Sequence, residues 1–322
     1  MEEMIKVFKG TDKDMKCRGM QYELGETKTD DGAVRCGNKG FHSCEAPFDV
    51  LKYYPMRDGN RFFEAEAAGK IDRTGADDSK LASSELTLKA ESGTTGGDWS
   101  NLAGGNESNL AGGYRSNLAG GNESNLAGGN ESNLAGGNES NLAGGYRSNL
   151  AGGYRSNLAG GYRSNLAGGD WSNLAGGNES NLAGGDWSNL AGGYRSNLAG
   201  GDSSNLAGGD SSNLAGGDWS NLAGGDWSNL AGGDRSNLAG GDRSNLAGGD
   251  SSNLAGGASS VLVGRNGCKA KGGKHSVIVL TEWELHGDDY VPICVKAEVV
   301  DGERIKADVF YTLKNGEFVE AE

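Results

Sequence analysis

Proline is nearly absent from this chain of 322 residues, with only 3, while glycine reaches 59. That imbalance excludes a disordered linker of the Pro/Gly/Ser kind, which mixes both breakers. Cysteine is scarce as well. Cys17, Cys36, Cys44, Cys268 and Cys294 form an odd set at irregular spacing, which does not read as a disulfide framework and points to a reducing compartment. No stretch approaches the roughly 18 apolar residues that a membrane-crossing helix needs. The opening MEEMIKVFKG is charged at once, so neither a secretory signal nor a membrane is expected, and the cytoplasm is the predicted location. Hydrophobic residues are only 35% of the chain, so any core must be thin or built by repetition. Net positive charge is lacking too, the balance being −14. Direct binding to nucleic acid needs a basic face and is not expected, although an acidic surface that imitates DNA is compatible with the balance.

What is there is a repeat. SNLAGG recurs every eight residues from Ser100 to Ser252, twenty copies without a slip. Only the two residues before each Ser vary, as Asp-Trp, Asn-Glu, Tyr-Arg, Asp-Ser or Asp-Arg. The register continues beyond the perfect copies. Ser84-Glu85-Leu86 and Ser92 fall on it upstream, and Ser260-Val261-Leu262, Cys268 and Ser276-Val277-Ile278 downstream. Degenerate copies at both ends are what capping repeats look like.

Eight residues suffice for one short strand and one tight turn. Side chains alternate along a strand, so with Leu inward Ser is inward too, and Asn and Ala face out. Gly-Gly, followed by Asp or Asn in fifteen of twenty copies, predicts a turn with positive φ at the glycines. Two octads then make one flat coil of 16 residues, and coils stacked at about 4.8 Å give roughly 48 Å of rod. One Leu per octad offsets only a fraction of the cost of ordering eight residues, so no repeat folds alone and ladders between coils must hold the rod.

GGYRSNLAGGDSSNLAGG resembles the octapeptide arrays of bacterial ice-nucleation proteins, in which two such units form a 16-residue coil. The resemblance implies a β-solenoid. It departs at the functional point, since the outward Thr-x-Thr pairs of that family are here Asn-Leu-Ala. A calcium-binding nonapeptide array is disfavoured by the period of eight and by Asp following Gly-Gly in only ten copies.

The fold class expected is mainly β: a solenoid over 81–274, a small α+β module over 1–80, and an antiparallel β cap over 275–322. In the module, strands are predicted at Ile5–Phe8, Tyr22–Thr27 and Arg61–Ala67. A helix is predicted to begin at Pro47, carry Phe48, Leu51 and Tyr54 on one face, and end at Pro55. In the cap, Gly287-Asp288-Asp289, Asp301-Gly302 and Asn315-Gly316 read as turns of a four-stranded meander, which covers the last coil or joins copies.

No nucleophile–base–orienter set and no phosphate loop is present, so no catalytic residue and no cofactor are assigned. Cys17, Cys36, His42 and Cys44 are a weak metal candidate, because the paired Cys-x-x-Cys knuckles of zinc sites are missing; buried cysteines and a satisfied histidine account for them better. The residues singled out for contact with a protein partner are Trp99, Trp171, Trp187, Trp219 and Trp227, with Tyr114, Arg115, Tyr146, Arg147, Tyr162, Arg163, Tyr194 and Arg195. Exposed aromatics and Arg are favoured at binding hot spots. Four of the five repeat tyrosines, Tyr114, Tyr146, Tyr162 and Tyr194, share one column of a 16-residue coil, and Tyr154 lies in the other.

The run CRGMQYELGET with GFHSCEAPFDVLKYY, the array, and the ending IKADVFYTLKNGEFVE resemble an uncharacterised family of phage and prophage proteins with this three-part layout. The resemblance implies a phage context and carries no activity. The module's strands, Tyr-x-x-Gly and Gly-Phe-His also resemble ADP-ribosyltransferase-like folds, which implies an enzyme with the rod as spacer. The leading expectation is a non-enzymatic structural or interaction protein, with acidic DNA mimicry, that enzyme, and ice binding as its competitors.

Overall fold

The structure, a computed structural model, describes residues 4–54, 60–74, 78–91, 94–287 and 289–321. Each octad forms one strand, Asn-Leu-Ala, and one turn made from Gly-Gly and the variable pair. A strand does not pair with the next octad but with the one after it, in parallel and in register, as Asn165↔Asn181 and Leu166↔Leu182. The coil is therefore 16 residues long, as the sequence predicts. Alternate octads build two parallel sheets that enclose one layer of side chains. Leu and Ser fill that layer, at 2% and 0% exposure through most of the rod, and Asn and Ala stand outside.

Three ladders join the coils. Outside, each Asn donates from Nδ2 to the Oδ1 of the Asn one coil back, 2.8 Å for Asn165 to Asn149. Inside, Ser180 Oγ accepts the N–H of Ser164 at 3.3 Å and donates to the carbonyl of Gly161 at 3.2 Å. At the turn, the first variable residue accepts through Oδ1 the N–H of its counterpart in the next coil, 2.9 Å from Asp218 to Asp202. That bond explains why Asp or Asn follows Gly-Gly so often. Both are short acceptors of the right reach, and turn-forming residues besides.

Positive φ lies elsewhere than the sequence predicts. None of the repeat glycines adopts it. The second variable residue does, with φ of 57° at Glu139, 59° at Arg163 and 59° at Trp187. The glycines are required for space instead. A Cβ on Gly184 would lie 2.7 Å from Ser188 Cβ and 2.9 Å from Leu190 Cδ1, and one on Gly185 would lie 2.8 Å from the Asp170 nitrogen of the previous coil.

The rod begins with Thr94–Thr95, which pair in parallel with Leu110 and Ala111. Downstream the register holds through Val261–Gly264, Lys269–Gly272 and Val277. Cys268 takes the place of the inward Ser, its Sγ donating to Gly249 O at 2.8 Å. Ser84 and Leu86 are a correction to the predicted upstream copy. They lie in a long strand of the N-terminal sheet, whose one buried face imitates the Ser-x-Leu alternation. Ser92 lies outside the described residues.

The N-terminal strands are β1 (Ile5–Thr11), β2 (Lys16–Cys17), β3 (Met20–Gln21), β4 (Thr27–Thr29), β5 (Phe41–Cys44), β6 (Arg61–Asp72) and β7 (Lys80–Glu91). The main sheet runs β4-β7-β5-β1-β6, and β6 also pairs with β7, so four strands close into a ring. Val7, Tyr22, Phe41, Phe63, Leu81 and Leu88 fill it. The predicted helix is a single 3₁₀ segment, Pro47–Lys52, so the module is β rather than α+β. Its six residues are too few for a stable α-helix without strong packing. The end placed at Pro55, and the side chains of Phe48 and Leu51, lie outside what the structure describes. Of the strand predicted over Tyr22–Thr27 only Thr27 lies in one, as the start of β4; the rest connects β3 to β4, with Leu24 bridging Leu88 and Gly25 turning the chain at φ of 80°.

The C-terminal cap is two hairpins, not one meander. Val277–His286 leaves the last coil and pairs with Asp289–Val299, extending one sheet. Tyr311–Lys314 and Glu317–Glu320 extend the other, with Tyr311 opposite Ala270. A two-sheet rod ends in two open edges, and each receives its own antiparallel cover. Asn315-Gly316 is a hairpin turn with φ of 50° and 77°, whereas Asp301-Gly302 lies in the crossover between the hairpins.

Candidate functional site

The variable pairs occupy the two narrow edges of the rod. The 16-residue coil puts 98–99, 114–115 and every second pair after them on one edge, and 106–107 and its successors on the other. The edges differ in charge. The first has four Tyr-Arg pairs against two Asp-Trp, two Asn-Glu and one Asp-Ser, a net −1. The second has one Tyr-Arg pair against three Asn-Glu, three Asp-Trp and two Asp-Ser, a net −7. Each edge has one neutral Asp-Arg pair besides.

The tryptophans singled out from sequence are exposed to solvent. Trp99, Trp171, Trp187, Trp219 and Trp227 are 48–63% exposed. On the neutral edge, Tyr146 and Tyr162 stack at 5.6 Å, Trp99 meets Tyr114 edge-on at 6.0 Å, and Arg115 lies 4.8 Å from the Trp99 ring. Arg147, Arg163 and Arg195 each lie over the tyrosine preceding them, at 4.9–5.0 Å. Arg163 also pairs with Glu179 at 2.7 Å, and Glu179 takes the Tyr162 hydroxyl. On the acidic edge, Trp171 and Trp187 stack at 5.2 Å, and Arg235 covers Trp219 at 4.7 Å. The rings and guanidinium planes thus meet in short stacks between successive coils, interrupted where Asn-Glu or Asp-Ser pairs intervene.

Through the perfect repeats the broad faces are uncharged, each a shallow trough between an Asn row and an Ala row. At the C-terminal end of one face, Val261 and Val263 replace Asn and Ala, and the rows continue as Val277 with Val299 and Val279 with Ala297. Val261, Val263, Ile293, Val295 and Val299 are exposed there.

The N-terminal module contains a cleft that sequence reasoning missed. β1 and β5 share one bridging pair, Phe8↔Cys44, and part beyond it. The gap is a cavity of about 440 Å³ lined by Lys9, Cys17, Tyr22, Ser43, Tyr54 and Arg18 among others. Lys9 is 3% exposed and donates to the His42 carbonyl at 2.6 Å and to Cys17 Sγ at 3.3 Å. Burial pulls its pKa down, against the opposing pull of Cys17. The signal was present in sequence, since period two places Lys9 on the same strand face as Ile5 and Val7.

The four metal candidates are dispersed among other partners. Cys17 faces Lys9, Cys36 Sγ donates to Lys80 O at 3.6 Å, and His42 Nε2 accepts the Gly37 N–H at 2.8 Å. Cys44 is buried, which pushes its thiol up to about 11. Among the described residues no three His, Cys, Asp or Glu side chains converge on a point where a metal ion would be held. No helix there is long and apolar enough to cross a membrane.

Residues 5–96 match the model of a domain of unknown function, DUF7666, a stretch that opens with β1 and closes just after Thr94–Thr95. Neither a curated protein nor a solved structure matches the chain.

Proposed function

We propose that this chain is a non-enzymatic structural and interaction protein, of phage or prophage origin, acting in the cytoplasm of the host. Its β-solenoid is a rigid ruler whose neutral edge presents stacked tyrosine and arginine planes to a protein partner. The observation that supports this most is the set of contacts that rings and guanidinium groups make between successive coils of that edge. Large flat groups already held by neighbours lose little entropy on binding, which suits them to hot spots. The acidic edge is a poor DNA mimic. Its net −7 spread over about 48 Å is one charge per roughly 7 Å, against one per about 1.7 Å in the duplex. Ice binding is not favoured by faces that carry Asn and Ala rows in place of Thr-x-Thr.

A photo-crosslinking residue at Arg195 on the neutral edge tests the reading. It is expected to capture one protein from host lysate, and the same probe at Ala199 on the face is expected to capture none. Equal capture at both positions, or none at either, removes the proposal.

The valine rows at the cap favour a second contact, between two copies of the chain. That patch is uncharged in a molecule of net charge −14, and its rows match their own pitch in a second copy. Sedimentation is expected to give a dimer, and Val295→Lys a monomer. A monomeric wild type ends this part of the reading.

A further inference from the structure

The cleft between β1 and β5 is rich in hydrogen-bond donors and poor in acceptors. Lys9 and Ser43 line the same cleft, and the Lys9 Nζ reaches the carbonyl of His42, the neighbour of Ser43 in β5. The Lys9 Nζ is buried in the module with the His42 carbonyl and Cys17 Sγ as its partners, and it forms no ion pair with a carboxylate among the described residues. Ser43 is 4% exposed, and its Oγ finds no hydrogen-bond partner there. Unpaired buried polar groups are rare in native proteins and call for a reason. Two phenols also line the cleft, that of Tyr54 hydrogen-bonded to Cys17. Burial pushes the pKa of Tyr22 and of Tyr54 well above the usual tyrosine value, so both keep their protons. The Lys9 Nζ lies 5.3 Å from the Tyr22 ring. At the mouth stand Arg18 and Lys80, with Asp30 as the one lining carboxylate.

We propose that this cleft binds a small organic molecule through an oxyanion, a carboxylate or a phosphate ester, seated against Lys9 and Ser43. Such a group supplies a full counter-charge, which favours the ammonium form of Lys9 against burial, and the acceptor that the Ser43 hydroxyl lacks. The body of the ligand lies along Tyr54 toward Arg18. A cavity of about 440 Å³ is ample for a one-ring or two-ring compound and too small for a folded peptide. Gly10 contributes by what it omits, since a Cβ there would lie 2.6 Å from the Tyr54 ring and push that wall away. The site is independent of the rod's edges, so it stands or falls separately from the interaction reading.

The test uses the full chain and four probes followed by titration calorimetry: benzoate, phenyl phosphate, inorganic phosphate and neutral benzamide. Benzoate or phenyl phosphate is expected to bind at least about tenfold more tightly than benzamide, as a charge-assisted bond predicts. The better of the two identifies the headgroup, and inorganic phosphate binding equally well would reduce the site to the anion alone. Lys9→Met keeps the volume and is expected to abolish oxyanion binding. Ser43→Ala removes an unpaired hydroxyl, leaves the fold intact, and is expected to weaken binding several-fold. Should Lys9→Met fail to fold, Arg18→Gln at the exposed mouth provides the second arm, with a several-fold loss expected. Benzamide binding as tightly as benzoate, or no oxyanion bound at about 10 mM, overturns the proposal, as does full affinity in both Ser43→Ala and Arg18→Gln.

Discussion

Replacing Ser180 by Ala tests whether the inner hydroxyl ladder holds the coils together. Ser180 is fully buried at the middle of the rod. Its Oγ accepts the Ser164 N–H and donates to Gly161 O. Gly161 O keeps a second donor, the Gly177 N–H at 3.2 Å, so its loss is partial. Ser164 N–H is left with no partner in a dry interior. One orphaned buried donor costs about 1–3 kcal/mol and one weakened acceptor about 1 kcal/mol, so about 2–4 kcal/mol is expected. Cys at this position is the control. Cys268 already fills the equivalent place, donating to Gly249 O and accepting the Ser252 N–H. Ser180→Cys is therefore expected to cost only about 1 kcal/mol, for a weaker donor and acceptor. Guanidinium unfolding can be followed on the stacked pair Trp171 and Trp187, which flank the site in sequence. Native-state hydrogen exchange gives a local reading, with the Ser164 amide expected to exchange about 30- to 700-fold faster in the alanine variant. An unchanged midpoint for Ser180→Ala, or an alanine effect no larger than that of cysteine, would refute the ladder argument.

Three other outcomes follow from the same geometry. Gly184→Ala drives a methyl into Ser188 and Leu190 and is expected to destabilise the rod by about 1–3 kcal/mol in the same unfolding assay, although the backbone there needs no special φ. Glu139→Asn should raise stability by up to about 1 kcal/mol, because Asn tolerates the left-handed φ of 57° better than Glu; a loss would count against the turn reading. In the N-terminal module, Asp49 is held at about 2 by the Ser79 N–H, and Asp72 at about 2 by Thr74 and Cys36. Their folded pKa values lie below the unfolded ones, so their contribution is complete above about pH 4 and is lost as pH falls toward 2. Asp49→Asn with Asp72→Asn should flatten acid unfolding of the module in that window, and an unaltered acid limb would contradict the assignment.

The rod was legible in sequence because its contacts are translational. Once the period is known, the neighbour of Leu166 can only be Leu150 or Leu182. What the period does not reveal is why a residue is small. Gly-Gly suggests positive φ and close approach equally, and only the structure shows that Ser188 and the Asp170 backbone occupy the missing methyls. The N-terminal module was less legible, since its ring depends on pairings such as Ile5↔Ala67, far apart in the chain. Ser84 and Leu86 misled for a related reason. A strand with one buried face has the same alternation in a coil and in a sheet, and register alone does not tell them apart. Lys9 was visible as a cation on an apolar face, but the cleft beside it depends on where β1 and β5 part.

Two octads per coil also impose a parity on the array. Sixteen added residues lengthen the rod by one step and return the chain to the same sheet. Eight added residues return it to the opposite sheet, exchanging the places of the two C-terminal hairpins and rotating the cap by about half a turn relative to the N-terminal ring. They would also swap the neutral and acidic edges for every turn downstream. Duplication and loss of repeats, easy in a tract so uniform, therefore come in two kinds. Even changes adjust the reach of the molecule, whereas odd ones reverse which way its far end faces.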